Sequence, residues 1–208
     1  HRMTLIQPES PKGEVRAGGA ATRPAEYEMN TATLRTLLEP ASIAVVGRAL
    51  DVKIDLPASA KPGDTVNVAA GTYVENVTVN KMLALVGAGS GIDGTVIQPT
   101  SGNAVTLTAG GISDTERLQI EGIRVTTPNN GIHIDSAIGH ITLDSVAVVG
   151  ASYGIEIHNK AVVTDLVLDD VTLANNSVGL RSATSGSVNG LTITGGHFDN
   201  NTQGISIF

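Results

Sequence analysis

The chain lacks cysteine and tryptophan and is poor in other aromatic residues, since its 208 residues include only two phenylalanines and three tyrosines. Without cysteine there are no disulfides and no thiolate metal sites, and the redox compartment stays open. Hydrophobic residues nevertheless make up 41% of the chain. The sequence therefore predicts a sizeable core built from aliphatic side chains.

Excess positive charge and long apolar runs are missing as well. The formal net charge is −7, and no cluster of lysine and arginine interrupts the acidic balance. Nucleic acid is not expected as a partner, because phosphate binding requires a basic surface. No membrane span is expected either, because no apolar run approaches the roughly 20 residues that a spanning helix needs.

The N-terminal part differs in pattern from the rest of the chain. Residues 1–30 are rich in Pro, Gly, Glu and Arg without a sustained period, which predicts a tail or linker. Residues 31–39 place leucines at helical spacing and are followed by a proline, which predicts a short helix. Such a helix would cap the first coil of a repeating domain that extends over residues 31–208.

The downstream half of the chain repeats itself. A Gly-apolar-x-apolar motif begins at Gly131, Gly154 and Gly204 and recurs in part at Gly179, with successive intervals of 23, 25 and 25 residues along the chain. Two further sets of short, mostly apolar-x-apolar segments keep these intervals: residues 118–120, 141–143, 166–168 and 191–193, and residues 123–125, 146–148, 171–173 and 196–198. Three short segments per repeat, rich in β-branched residues, are typical of a β-solenoid.

This repeat determines the predicted fold. In an apolar-x-apolar strand two side chains point inward and one outward, and no single repeat can bury its apolar face alone. Stacked coils bring equivalent strands into parallel register about 4.8 Å apart. Residues 118–208 leave no room for the helices of an α/β fold. We predict an all-β, right-handed parallel β-helix solenoid with three strands per coil of about 23–27 residues.

Turn residues support the same prediction. A two-residue corner recurs between the second and third strands at residues 121–122, 144–145, 169–170 and 194–195. At the next corner Asn175 and Asn200 occupy equivalent positions, and stacked Asn side chains can form a structural hydrogen-bond ladder. The chain stops within a coil at Phe208. We expect a truncation there, because an exposed parallel edge invites aggregation.

The segment from Gly63 to Val79, GDTVNVAAGTYVENVTV, alternates in short bursts separated by Gly and Asn. It resembles the first coils of the pectate-lyase-like and pectin-methylesterase-like β-helix superfamily. The resemblance implies the fold but selects no activity, since that superfamily includes lyases, hydrolases, esterases, adhesins and inert structural modules. It also implies an extracellular or cell-surface location, with polysaccharide or neighbouring domains of a larger chain as partners.

In β-helix polysaccharide lyases and polygalacturonases the active groups project from one sheet, so the resemblance directs attention to the outward residues of the Gly-Ile-x-Ile strand. These residues, the outward grid, are His133, Asp135, Glu156, His158 and Arg181. In a catalytic grid, Glu156 or Asp135 is the acid or base and Arg181 anchors an acidic sugar, and a hydrated metal is a further use of these groups. The alternative is a set of ordinary exposed sheet pairs, each worth roughly 0.2–1 kcal/mol.

A second candidate site is a column of corner carboxylates, Glu121, Asp144, Asp169 and Asp170. Like charges stacked this closely repel, and a bound Ca²⁺ would relieve the repulsion. Turn carboxylates are otherwise solvated or cap local amides. Ca²⁺ is the one cofactor that the sequence suggests.

Three functions remain open from the sequence. The preferred one is a non-catalytic β-helix module of an extracellular or cell-surface protein, with a structural, adhesive or carbohydrate-associated role, because the coils are regular, the turns short and aromatic residues scarce. One alternative is a polysaccharide lyase or glycoside hydrolase acting on acidic polysaccharide, or an inactive relative. The other is a solenoid that self-assembles through its ends.

Overall fold

A computed structural model describes residues 42–45, 54, 56 and 60–208. The predicted tail at residues 1–30 and the predicted capping helix at residues 31–39 lie outside these described residues. Inside them the chain forms strands and turns but no helix. The prediction of an all-β fold is confirmed for this part of the chain.

The strands form three parallel sheets, and successive coils of the chain add strands to each of them. The first sheet contains β1 (Ser42–Val45), β2 (Thr65–Val68), β5 (Ala84–Val86), β8 (Leu118–Glu121), β11 (Ile138–Asp144), β14 (Val162–Asp169) and β17 (Ser187–Thr194). The second sheet contains β3 (Gly71–Tyr73), β6 (Thr95–Ile97), β9 (Ile123–Thr126), β12 (Ala147–Val149) and β15 (Thr172–Ala174). The third sheet contains β4 (Val77–Val79), β7 (Val105–Leu107), β10 (Asn130–Ile134), β13 (Tyr153–Ile157), β16 (Val178–Ser182) and β18 (Gln203–Ser206).

The strand register follows the sequence repeat. In the third sheet Ile132 of β10 lies beside Ile155 of β13, which in turn lies beside Leu180 of β16. In the first sheet Leu143 of β11 lies beside Leu168 of β14. All of these pairs are parallel, so the chain is a parallel β-solenoid of about five turns, as the repeat predicts.

The core consists of aliphatic columns that run along the inside of the solenoid. Ile132, Ile155 and Leu180 are fully buried, whereas the next member of that column, Ile205, is 48% exposed in the last coil. The one aromatic side chain fully enclosed among the described residues is Tyr73, whose hydroxyl donates a hydrogen bond to the Ala69 carbonyl at 2.9 Å. The prediction of an aliphatic core is thus confirmed.

The predicted two-residue corners share one backbone conformation. Their second residues are Gly122, Ser145, Asp170 and Gly195, and all four have φ between 48° and 63°. This left-handed region is open to glycine and is tolerated best, among other residues, by short polar side chains such as Asp and Asn. The corner composition therefore follows from the bend that the chain makes between the first and second sheets.

The asparagine ladder at the next corner is formed by different residues from those predicted. Asn175 and Asn200 are exposed and supply the left-handed bend, with φ of 57° and 54°. The buried neighbour Asn176 instead accepts a hydrogen bond from Ala151 N at 2.8 Å, and its own backbone N–H donates to Oδ1 of Asn201 at 2.8 Å. The prediction was off by one position because the residue after the bend points inward, where backbone amides need partners.

Glycine is the second residue of β10, β13 and β16 because successive coils approach closely there. A Cβ on Gly154 would lie 2.5 Å from the carbonyl oxygen of Gly179, and a Cβ on Gly179 would lie 2.5 Å from that of Gly204. A backbone carbonyl held in a sheet cannot move aside as a flexible side chain can. The Gly-apolar-x-apolar motif is therefore a packing requirement of the stacked coils.

We predict that Gly154→Ala lowers the free energy of unfolding by about 3 kcal/mol, since overpacking against immobile neighbours typically costs about 1–3 kcal/mol. The control is Gly150→Asn. A Cβ at Gly150 would have no other atom within 4 Å, and the φ of Gly150, +77°, lies in the left-handed region, as do those of Asn175 and Asn200. This variant should change stability by less than about 0.5 kcal/mol. Urea denaturation measures both variants, and equal unfolding midpoints would contradict the packing argument.

Candidate functional site

The outward grid lies on the outer face of the third sheet, where the register places its members in one column. Strand pairing sets these residues side by side, from the first coil to the last: Thr78, Thr106, His133, Glu156, Arg181 and Ser206. The predicted stacking of His133 over Glu156 over Arg181 is confirmed. Each of these side chains comes from a different coil, so the fold itself assembles the cluster.

Two members of this column are not exposed, contrary to the expectation of ordinary exposed sheet pairs. His133 is 7% exposed and Glu156 is 5% exposed. The guanidinium of Arg181 contacts the Glu156 carboxylate and also lies over the ring of Tyr153, 4.2 Å from its centre. The side chain of Arg181, held over the Tyr153 ring, shields Glu156 from solvent, although Glu156 lies on the outer face of the sheet.

Both carboxylate oxygens of Glu156 are engaged. Oε2 accepts a hydrogen bond from Asn130 Nδ2 at 2.7 Å and lies 3.0 Å from Nδ1 of His133. Oε1 accepts a hydrogen bond from Arg181 Nη1 at 3.0 Å. The hydrogen bond to His133 lowers the pKa of Glu156 below its ordinary value, against the opposing effect of burial, and the same bond raises the pKa of His133. Both shifts favour the charged forms of the two groups, carboxylate and imidazolium.

The second nitrogen of His133 faces another carboxylate. Nε2 lies 3.5 Å from Oδ1 of Asp135, and the imidazole rings of His133 and His158 are 4.9 Å apart, tilted by 51°. The predicted pair of Asp135 and His158 forms no ion pair in the described part of the chain, since Asp135 turns toward His133. Nδ1 of His158 is buried and has no hydrogen-bond partner among the described residues.

A second cluster, which the sequence reasoning missed, lies on the first sheet. Arg117 forms an ion pair with Asp165 and also donates to Thr142 Oγ1 at 2.7 Å. His140, which the sequence presents as an isolated surface residue, places Nδ1 2.8 Å from Asp165 Oδ2 and 3.2 Å from Asp114 Oδ1. His140 and Asp165 are 25 residues apart, at equivalent positions of successive coils, and this spacing is the signal that could have revealed the pair.

The structure describes two groups of three residues whose possible metal-ligating atoms lie within 4.8 Å of one another. They are His133, Asp135 and His158 on the third sheet, and Asp114, His140 and Asp165 on the first sheet. The predicted Ca²⁺ column is not among these groups of the described residues, although the register does place Glu121, Asp144 and Asp169 side by side. Ca²⁺ at that column stays a prediction.

An open groove of about 450 Å³ runs along the corner that carries the asparagines. Its lining includes Ser152, Asn175, Asn176 and Thr202 and contains no acidic or basic side chain. None of the residues of the outward grid lines it. The groove offers neutral hydrogen-bonding groups, while the titratable groups lie on the outer face of the third sheet.

Comparison with known proteins leaves the resemblance to the pectate-lyase-like superfamily resting on the sequence pattern alone. No protein-family model, curated protein or solved structure matches the chain. No helix in the described residues is long and apolar enough to cross a bilayer.

We predict that the Glu156 and His133 pair stabilises the fold most strongly between about pH 4.5 and 6.5, the ordinary pKa values of the two groups. The lowered pKa of Glu156 means that its contribution is lost as the pH falls through its folded-state value. The raised pKa of His133 means that its contribution is complete below 6.5 and is lost as the pH rises through the folded-state value. Glu156→Gln should lower the free energy of unfolding by about 2 kcal/mol in this pH range, since a hydrogen bond to a charged group contributes on that scale. The loss should be smaller at lower and at higher pH.

Urea denaturation over a pH series, compared with the unsubstituted chain, measures this difference. The control is Glu116→Gln, because Glu116 is exposed and lies outside both the outward grid and the column of corner carboxylates. Its profile should run parallel to that of the unsubstituted chain. A Glu156→Gln profile that is also parallel would contradict the assigned ion pair.

Proposed function

We propose that the chain is a non-catalytic β-solenoid module, with a structural, adhesive or carbohydrate-associated role in an extracellular or cell-surface protein. The observation that carries this proposal is the burial and bonding of Glu156, one of the two acid–base candidates of the outward grid. Its carboxylate is shielded and has three hydrogen-bond partners within the chain. The location at the cell surface is proposed from the sequence resemblance of residues 63–79.

A catalytic carboxylate needs access to a substrate proton and a pKa near the working pH. Glu156 has neither, because it is 5% exposed and its pKa is shifted downward by the hydrogen bond to His133. Arg181 is engaged by Glu156 and by the Tyr153 ring and is not free to clamp an acidic sugar. These contacts weigh against a polysaccharide lyase or glycoside hydrolase, and they are compatible with an inactive relative.

A stiff spacer is the role that the architecture suits. Equivalent strands lie about 4.8 Å apart, so about five turns extend a core of packed aliphatic columns over about 24 Å. The groove at the asparagine corner, with neutral amide and hydroxyl groups, is the surface best suited to a neutral carbohydrate partner. Such a module presents surfaces at fixed spacing without chemistry of its own.

We predict that the chain does not cleave acidic polysaccharides. Polygalacturonate, alginate and hyaluronate are incubated with the chain, and unsaturated products and new reducing ends are measured by absorbance. The expected rate equals that of a protein-free blank. A rate above the blank that is lost in Glu156→Ala and retained in Glu121→Ala would overturn the proposal.

Self-assembly through a solenoid end is the second candidate, favoured by one observation. The inner columns open to solvent in the last described coil, where Ile193 is 38% exposed and Ile205 is 48% exposed. If copies associate there, the molar mass measured by light scattering rises with protein concentration for the unsubstituted chain and stays constant for Ile205→Lys. Val162→Lys is the control, since Val162 is 43% exposed on a strand within the first sheet and should leave association unchanged. A molar mass that is constant at all concentrations contradicts this candidate.

A further inference from the structure

The outer face of the third sheet brings together a set of donor atoms that ordinary sheet pairing does not explain. Nε2 of His133 lies beside a carboxylate oxygen of Asp135, and a ring nitrogen of His158 lies within 4.8 Å of both. We propose that His133, Asp135 and His158 bind a divalent transition-metal ion of the zinc class. This site is independent of the proposed role as a structural module.

The spacing of the donors suits such an ion. Zinc bonds to imidazole nitrogen and carboxylate oxygen are about 2.1 Å long, so two ligands of a tetrahedral site lie about 3.4 Å apart. The observed distance between His133 Nε2 and Asp135 Oδ1 is 3.5 Å. The longest separation in the triad is within 4.8 Å, and it closes by a contraction of at most about 1.4 Å. Asp135 is exposed and directly follows the end of β10, so the surrounding chain does not enclose its carboxylate.

The hydrogen bond on the far side of His133 is independent support. A metal-bound histidine commonly donates its other ring N–H to a carboxylate, which fixes the tautomer and aims the lone pair at the metal. Here Nδ1 of His133 lies 3.0 Å from Glu156 Oε2, and Glu156 is itself held by Asn130 and Arg181. With the proton fixed on Nδ1, Nε2 is the nitrogen that faces Asp135 and is available as a ligand.

His158 gives a second indication. Its Nδ1 is buried without a hydrogen-bond partner in the part of the chain that the structure describes, which is unusual because buried polar atoms are normally satisfied. A cation bound by this imidazole would give the ring a partner that the described chain does not supply. The ring centre of His158 also lies 4.9 Å from that of His133, which places both imidazoles beside the same site.

The donor types select the class of ion. Two imidazole nitrogens and one carboxylate oxygen suit Zn²⁺ and its neighbours Co²⁺, Ni²⁺ and Cu²⁺, whereas Ca²⁺ and Mg²⁺ require oxygen ligands throughout. The triad therefore differs in chemistry from the predicted Ca²⁺ column of corner carboxylates. Three protein ligands also leave one position of a tetrahedral ion for water.

The triad on the first sheet, Asp114, His140 and Asp165, is less suited to binding a metal ion. Its Asp165 carboxylate already bonds to the guanidinium of Arg117, which also donates to the Ile141 carbonyl at 2.9 Å. A fixed positive charge at this carboxylate disfavours a divalent cation beside it. His140, the histidine of that triad, therefore provides a matched control for substitutions at His158.

The test is isothermal titration of the intact, chelator-treated chain with Zn²⁺, combined with elemental analysis after dialysis. We expect one equivalent of Zn²⁺ for the unsubstituted chain and for a double variant, His140→Ala with His197→Ala, which removes the histidine of the first-sheet triad and an exposed histidine of the last coil. Glu156→Gln should weaken binding about 10- to 100-fold, as expected of a residue that orients a ligand. His158→Ala, which removes a ligand, should weaken binding by more than about 100-fold.

Thermal unfolding in the presence of chelator verifies that each variant is folded, so that a loss of binding is not a loss of structure. If Glu156→Gln impairs folding, Asp135→Asn and His158→Ala test the site alone, because neither residue is as deeply buried as His133 and Glu156. The proposal is overturned if the unsubstituted chain binds no stoichiometric Zn²⁺, if His158→Ala binds as tightly as the unsubstituted chain, or if the control double variant loses binding.

Discussion

Parallel stacking in register is the interaction on which the rest of this molecule depends. A strand in the solenoid finds the partners of its backbone N–H and C=O groups in the coils before and after it, and its inner side chains meet the equivalent side chains of those coils. A coil that shifted by one residue would turn its aliphatic face to the solvent and leave its neighbours unsupported. The close approach at the third-sheet glycines is a consequence of the same stacking, since it lets the backbone of one coil rest on the carbonyl of the next.

This constraint acts differently on the two faces of each sheet. Inside, like side chains stack well, so an exact repeat is favourable. Outside, an exact repeat would place like charges beside each other at about 4.8 Å, where they repel. The outer column of the third sheet avoids this repulsion because successive coils carry His133, Glu156 and Arg181. The charges alternate where the side chains are shielded, whereas the similar carboxylates of Glu121, Asp144 and Asp169 stack at a corner.

The sequence was sufficient to predict the structural features that recur in every repeat. It predicted the solenoid, the three segments of each coil, the register and the two-residue corners, because each of these recurs at a fixed interval. It was insufficient where a side chain is placed by contacts between coils that differ. The shielding of Glu156 depends on Asn130, Arg181 and Tyr153, which lie in different coils or at a strand end. The cluster around Asp165 depends on Arg117, which lies 48 residues earlier, just before the repeats begin. No periodicity in the sequence predicts the contact between these two side chains.

The later coils differ in the length of the connection from the third sheet to the first, and this difference bears on how such a chain can diversify. The interval between equivalent residues grows from 23 to 25 after Gly154, and the two additional residues fall between Ile157 and Val163, which correspond to Ile134 and Ile138 one coil earlier. Asp135 and His158 lie at the beginning of these connecting turns. The left-handed corners elsewhere hold the geometry of each coil, so a change of length here leaves the stacked interior intact. Surface chemistry on this side of the solenoid can thereby vary by insertion, while the two-residue corners of the later coils remain under the control of backbone geometry.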